Sequence, residues 1–170
     1  MYRHILVPTD GSPLSDEATS HAVALAVVTG ARISFLTVTS PFHMFSFDAE
    51  QLEETPASYR EHVQQRATHI LVTADKIAEA AGVAHDLHHV ENDEPYRAII
   101  RVAEENGCDL IAMASHGRSG VSALVLGSET VKVLTHSTIP VLVLRPGVTG
   151  FEHSLAKNHA AERQPHRQPA

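Results

Sequence analysis

Five short runs of apolar and β-branched residues alternate along the chain with longer stretches whose apolar residues recur at helical spacing. Residues two apart share a face of a strand, and residues three or four apart share a face of a helix. Alternation of the two periods therefore calls for parallel strands joined by crossover helices. The strand segments are His4 to Val7, Arg32 to Val38, Ala84 to Val90, Leu110 to Met113 and Pro140 to Leu144. Several are nearly continuous apolar runs, as expected of strands covered on both faces. Between them, Leu14, Ala18, Ala22 and Leu25 form one helical stripe. Val63, Ala67, Ile70, Ala74, Ile77 and Ala81 form a longer one, and Tyr96, Ile99, Ile100 and Ala103 a third. Gly30, Gly82 and Gly107 each stand between a helical stripe and a strand, where a left-handed residue would end the helix. Ser12-Pro13 supplies an N-cap and a first-turn proline, with Asp16 and Glu17 near the positive end of the helix dipole. Asp93 is placed to cap the third helix.

At 170 residues and 43% hydrophobic, the chain suffices for one well-packed core. One folding unit is expected over residues 1–146. Residues 147–170, rich in His, Gln, Ala and Pro without a useful period, are read as a mobile tail. Ser40 to Glu54, with Phe42, Met44, Phe45 and Phe47, reads as a long loop. A flap packed on the sheet or on a dimer partner is the preferred role for it, ahead of a ligand lid. A net charge of -7 with only 13 Lys and Arg argues against nucleic-acid binding. No stretch approaches the roughly 18 apolar residues of a membrane span, and Met1 to Leu6 runs into a strand rather than a signal peptide, so a soluble, cytoplasmic protein is expected. The single cysteine, Cys108, reads as a small buried apolar residue.

Two segments carry chemistry. Val7-Pro8-Thr9-Asp10-Gly11-Ser12 puts a carboxylate at the carboxyl end of the first strand, just before a helix N-terminus, where open α/β sheets bind ligands. Asp10 can accept from a ribose hydroxyl or help hold a metal; its plainer role is to brace the strand-to-helix turn. The second segment, Ala114-Ser115-His116-Gly117-Arg118-Ser119-Gly120, follows the fourth strand and leads to Gly127-Ser128-Glu129-Thr130. A helix starting near Ser128 would offer amides and dipole to an anion, with the hydroxyls of Ser128 and Thr130 beside them. A Walker A loop would need a Lys after its second Gly, and the dinucleotide fingerprint would follow the first strand directly; neither is present. His116 and Glu129 are the nearby candidates for a water-positioning base, with loop bracing and helix charge compensation as their plainer roles. Of the 13 histidines, His85 and His89 would share one face of the third strand while His88 points away, which gives no compelling metal site.

On these residues the chain resembles the universal stress protein family across 1–146. The resemblance rests on Asp10-Gly11-Ser12 and on the family's spaced glycine pattern, read here as Ala114, Gly117 and Gly127-Ser128, with Ala114 in place of the first glycine. It implies an adenine nucleotide alpha hydrolase-like α/β fold, an open five-stranded parallel sheet of order 3-2-1-4-5 with helices on both faces. It also implies ATP as ligand, with Mg²⁺ on its phosphates. Pro8 and Asp10 would flank ribose and base, and the Val38 backbone would bond the adenine edge. Ala114, Ser115, His116, Gly117 and Arg118 would line the sugar and phosphates, and Gly127, Ser128, Glu129 and Thr130 would cradle the phosphate chain. Thr9, Met113 and Gly120 belong to the same lining. Ala114 would be tolerated if its backbone is extended or right-handed, and costly at positive φ. A symmetric homodimer through the fifth strand, Val141, Leu142, Val143 and Leu144, is implied as well. The function expected is stress-responsive regulation through bound ATP with slow hydrolysis at most; a slow ATP hydrolase and a nucleotide-free interaction module are the alternatives.

Overall fold

The computed structural model describes residues 1–42, 55–117 and 126–145. Arg118, Ser119, Gly120, the loop from residue 43 to 54 and the tail 147–170 lie outside the described residues. In chain order the elements are β1 (His4–Pro8), α1 (Pro13–Thr29), β2 (Arg32–Thr39), α2 (Pro56–Ala80) and β3 (His85–Glu91). They are followed by α3 (Pro95–Glu105), β4 (Leu110–Ala114), α4 (Ser128–His136) and β5 (Val141–Leu144). All five strands are parallel, in the order β3-β2-β1-β4-β5. Each strand falls within one residue of its expected bounds.

The alternation of side chains sorts the core into two layers. Ile5, Val7, Ile33, Phe35, Leu110 and Ala112 meet α1 and α2 through Ala22, Val23, Ala26, Leu71, Ala74 and Ala78. Leu6, Leu36, Ile111 and Met113 meet α3 and α4 through Ile99, Val102, Ala103 and Val133. Helices therefore cover both faces. Cys108 belongs to the second layer, and burial pushes its thiol up to about 11. Among the described residues no helix is long and apolar enough to cross a membrane.

The helix ends follow local chemistry. Ser12 Oγ accepts from the Ser15 amide at 3.2 Å, and Pro13 opens α1. Thr55 and Pro56 repeat the device at α2, with Ser58 as the donor. Gly30, Gly82 and Gly107 follow their helices with positive φ. The residue after each closes a bond five positions back, from Ala31 to Ala26, Val83 to Ala78 and Cys108 to Ala103. At α3 the expectation is corrected: the N-cap position is Glu94 rather than Asp93, and it gives no side-chain cap. Glu129 Oε2 of α4 instead accepts from the Tyr96 amide at 2.8 Å, capping α3 across the helix pair.

Candidate functional site

The sheet order sets the carboxyl ends of β1 and β4 side by side, at the point where the crossovers reverse direction. Beyond β1, Thr9 is a buried brace. Its amide donates to the Leu36 carbonyl at 2.9 Å, its carbonyl accepts from Thr37 Oγ1 at 3.1 Å, and its hydroxyl pairs with Ser15 Oγ at 3.1 Å. These bonds lock the end of β1 to β2 and to α1. Asp10 Oδ1 then accepts from the Ser12 amide at 3.0 Å, so the bracing role anticipated for this carboxylate is realised. Gly11 between them has φ 73°, and a Cβ there would lie 2.8 Å from Ile70 Cγ1. Both the conformation and the space require glycine.

Beyond β4 the chain is tied on both sides. The Ser115 amide donates to the Leu144 carbonyl at 2.7 Å, and the Ser115 carbonyl accepts from the Gly127 amide at 2.8 Å. Ser115 itself is buried, its hydroxyl 3.2 Å from His116 Nδ1, and it does not line the cleft. Gly117 and Gly127 both have negative or unremarkable φ, since the positive-φ glycines are Gly11, Gly30, Gly82 and Gly107. What they lack is room: a Cβ on Gly117 would come 2.5 Å from Asp10 Oδ2, and one on Gly127 would come 3.1 Å from the His116 Cα. Ala114 ends β4 in extended conformation, its methyl packed with Ala18 and Leu144. The methyl in place of the first glycine is thus accommodated.

Gly127 is the N-cap of α4 and offers no side-chain cap to the first-turn amides of Ser128, Glu129 and Thr130. Thr130 Oγ1 donates to the Ala114 carbonyl at 3.2 Å, so its hydrogen is committed to joining α4 to β4. Glu129 is held by the Tyr96 amide on one oxygen and by Lys132 Nζ at 2.7 Å on the other. A carboxylate so engaged is a poor base for water.

These pieces surround a cavity of about 540 Å³. Pro8, Thr9, Asp10 and Val38 line it from one side, with Met113 and Ala114 at the end of β4, His116 and Gly117 just beyond it, and Gly127, Ser128, Glu129 and Thr130 at the start of α4. Twelve of the thirteen described residues expected at the site are thereby gathered, Ser115 being the exception. The first half of α2 adds a further wall through Tyr59, Val63, Arg66, Ala67 and Ile70. Sequence reasoning assigned Val63, Ala67 and Ile70 to a core stripe and passed over Tyr59 and Arg66, whose place depends on where the helix overhangs the sheet. Phe42 packs on Tyr59, ring centres 5.5 Å apart, and the Tyr59 hydroxyl donates to the Ser40 carbonyl at 3.1 Å. In the first turn of α1, burial and then the charge of Asp10 raise the carboxyl of Asp16 above the usual range. Among the described residues no group of three or more His, Cys, Asp or Glu converges to hold a metal ion.

A family model described as Universal stress protein family matches residues 1–145. Universal stress protein YxiE of Bacillus subtilis is 33% identical over 149 residues, covering 85% of this chain and all of the relative. The solved structure of protein MJ0577 of Methanocaldococcus jannaschii superposes with a TM-score of 0.71 at 28% identity, covering 85% of this chain and 96% of that one. A universal stress protein solved in complex with cAMP superposes with a TM-score of 0.62 at 26% identity, covering 84% of this chain and 96% of that one.

Proposed function

The chain belongs to the universal stress protein family, and on that premise we propose that it binds an adenine nucleotide, ATP, in the cleft between the ends of β1 and β4 and acts as a nucleotide-dependent regulator under stress. The observation that carries the reading is the meeting of the two motifs. Gly117 lies against Asp10 and Gly127 against His116 with no space for a side chain, while the uncapped start of α4 opens onto the same cavity. Close backbone approach beside a helix N-terminus suits phosphate, and the cavity volume is within the range of small-molecule sites. The cAMP complex of a relative supports the same ligand class.

The base would lie toward Val38. Residues of a parallel strand turn their backbone groups alternately to either neighbour. The Leu36 carbonyl accepts from Thr9 of the β1 side, whereas Ile33 and Thr39 bond toward β3. Val38 therefore turns its N–H and C=O to the β1 side, past the end of β1 pairing at Pro8. That edge can pair with adenine, and Asp10 stands where a ribose hydroxyl can donate to it. The donor set fits Mg²⁺ only as an ion brought in on the phosphates, with Asp10 as the available type of ligand.

Regulation is favoured over catalysis because Glu129 is already engaged by Tyr96 and Lys132. We also propose a homodimer through β5, which pairs with β4 on one edge while Leu142 is 37% exposed. Calorimetric titration with ATP, ADP and GTP tests the ligand. ATP binding with Mg²⁺ and weak or absent GTP binding is expected; failure of ATP to bind at millimolar concentration leaves the interaction-module alternative.

A further inference from the structure

The apolar stripe of α2 divides between two partners. Leu71, Ala74 and Ala78 join the core layer beneath α1 and α2. Tyr59, Val63, Ala67 and Ile70 belong to none of the buried apolar clusters among the described residues, and all four line the cavity. The two outer ones have neighbours of their own: Tyr59 packs on Phe42, and Ile70 abuts the Gly11 turn beside Asp10. Val63, half-buried, and Ala67, fully buried, stand between them in the wall.

Strand alternation fixes what this wall faces. Phe35 of β2 points into the layer of α1 and α2, whereas Leu36 and Val38 belong to that of α3 and α4. Thr37 and Thr39 therefore turn toward α2. The cavity accordingly takes lining from both sides of the sheet: Val63 and Ala67 with the two threonines on one side, Val38 and Ile99 on the other. A group bonded to the N–H and C=O of Val38 occupies the line that β1 vacates after Pro8. Hydrogen bonds at a strand edge lie in the plane of the sheet. A flat base held there turns one face to α2 and the other to α3.

We infer that Val63 and Ala67 form the platform against which a purine base packs its face, and that this wall, rather than the Val38 edge, selects a purine over a pyrimidine. The inference rests on the nucleotide reading of the cleft. Adenine and cytosine both present an amino donor beside a ring-nitrogen acceptor, so the backbone of Val38 can pair with either. They differ in the apolar area they cover, two fused rings against one, and apolar burial scales with area. Val63 and Ala67 are specificity-determining residues that act through contact with the face of the base.

ATP, AMP and CTP separate the contributions, since the first two share a base and the first and third share ribose and phosphates. Calorimetry on the full chain with Mg²⁺ should show wild type binding ATP more tightly than CTP. Val63→Ala should weaken ATP and AMP by the same factor, roughly three- to tenfold, and CTP less. Ala67→Leu fills the slot instead, and should weaken ATP by roughly tenfold or more while narrowing the ATP to CTP ratio. Thermal unfolding of the unliganded variants reports whether each remains folded, and Val63→Ala, at a half-buried position, decides if Ala67→Leu does not fold. An ATP to CTP ratio unchanged in Val63→Ala, or an ATP to AMP ratio that shifts in it, overturns the inference while leaving nucleotide binding intact. If none of the three binds the wild type, the reading of the cleft falls and this inference with it.

Discussion

Gly117 lies against Asp10: a Cβ built on the glycine would come within 2.5 Å of the Asp10 Oδ2, although the two residues come from opposite halves of the chain. The contact joins the turn after β1 to the turn after β4. Neither Gly117 nor Gly127 is held by positive φ, so the penalty for a side chain is displacement alone. At Gly127 the obstacle is the backbone of His116, which cannot swing aside as a side chain can. Gly117→Val and Gly127→Val should each weaken ATP binding by roughly ten- to hundredfold, the worth of one lost charge-assisted hydrogen bond. The measurement is calorimetric titration, with circular dichroism showing that the secondary structure persists.

Ala114→Gly should cost stability and give no gain in affinity. The alanine backbone is extended, and its methyl fills the small cluster with Ala18 and Leu144. The greater backbone freedom of glycine and the loss of a buried methyl together amount to about 1–2 kcal/mol. Denaturant unfolding and ATP titration of the same variant separate the two effects; a rise in affinity would make Ala114 a weakening residue.

Much of this architecture was legible because its signals are local. Ser12-Pro13 and the glycines after three helices act within a few residues, and the apolar runs mark β1 to β5 to within one residue. Asp10-Gly11-Ser12 was equally readable, since its turn is closed by its own side chains. The tertiary bonds were not. Nothing near Glu129 in sequence announces that it caps α3 at Tyr96, and Asp93 was the better local candidate. The α2 wall was hidden for a related reason: one apolar stripe serves the core from Leu71 onward and the cleft from Tyr59 to Ile70. The pairing of His89 with Thr39 needed the β2–β3 register, which no motif encodes.

The clasp between α2 and β3 should make stability depend on pH. His85 Nε2 is 2.8 Å from Asp75 Oδ1 and its Nδ1 is 2.8 Å from the Val83 carbonyl. The bond to Asp75 first, and that to Val83 second, raise the imidazole above its ordinary value against the opposing effect of burial. A raised folded value means that the contribution is complete below the unfolded value of about 6.5 and is lost as pH rises through the folded one. Asp75 is 39% exposed, so solvent screens the pair and the effect is modest. The melting temperature of wild type should exceed that of Asp75→Asn most at about pH 5.5, and the difference should shrink above neutrality. A difference that grows with pH would refute the assignment.

Charge on β5 should split the proposed dimer. The strand pairs only with β4 among the described residues, so its outer edge presents backbone groups of the kind that recruit another strand. Antiparallel pairing with a second copy across a two-fold axis would satisfy them and close the assembly. Leu142 is 37% exposed, and Val131 and Leu134 of α4 are exposed at 45% and 42%. Within the strand, Val143 is half-buried and Leu144 buried, so a lysine at either would disturb the subunit itself. Leu142 is the discriminating position because its side chain already reaches solvent in the single chain. Wild type should run as a dimer by light scattering, and Leu142→Lys as a monomer whose circular dichroism spectrum is unchanged. A wild-type monomer at high concentration, or a Leu142→Lys dimer as tight as wild type, would move the interface away from this edge.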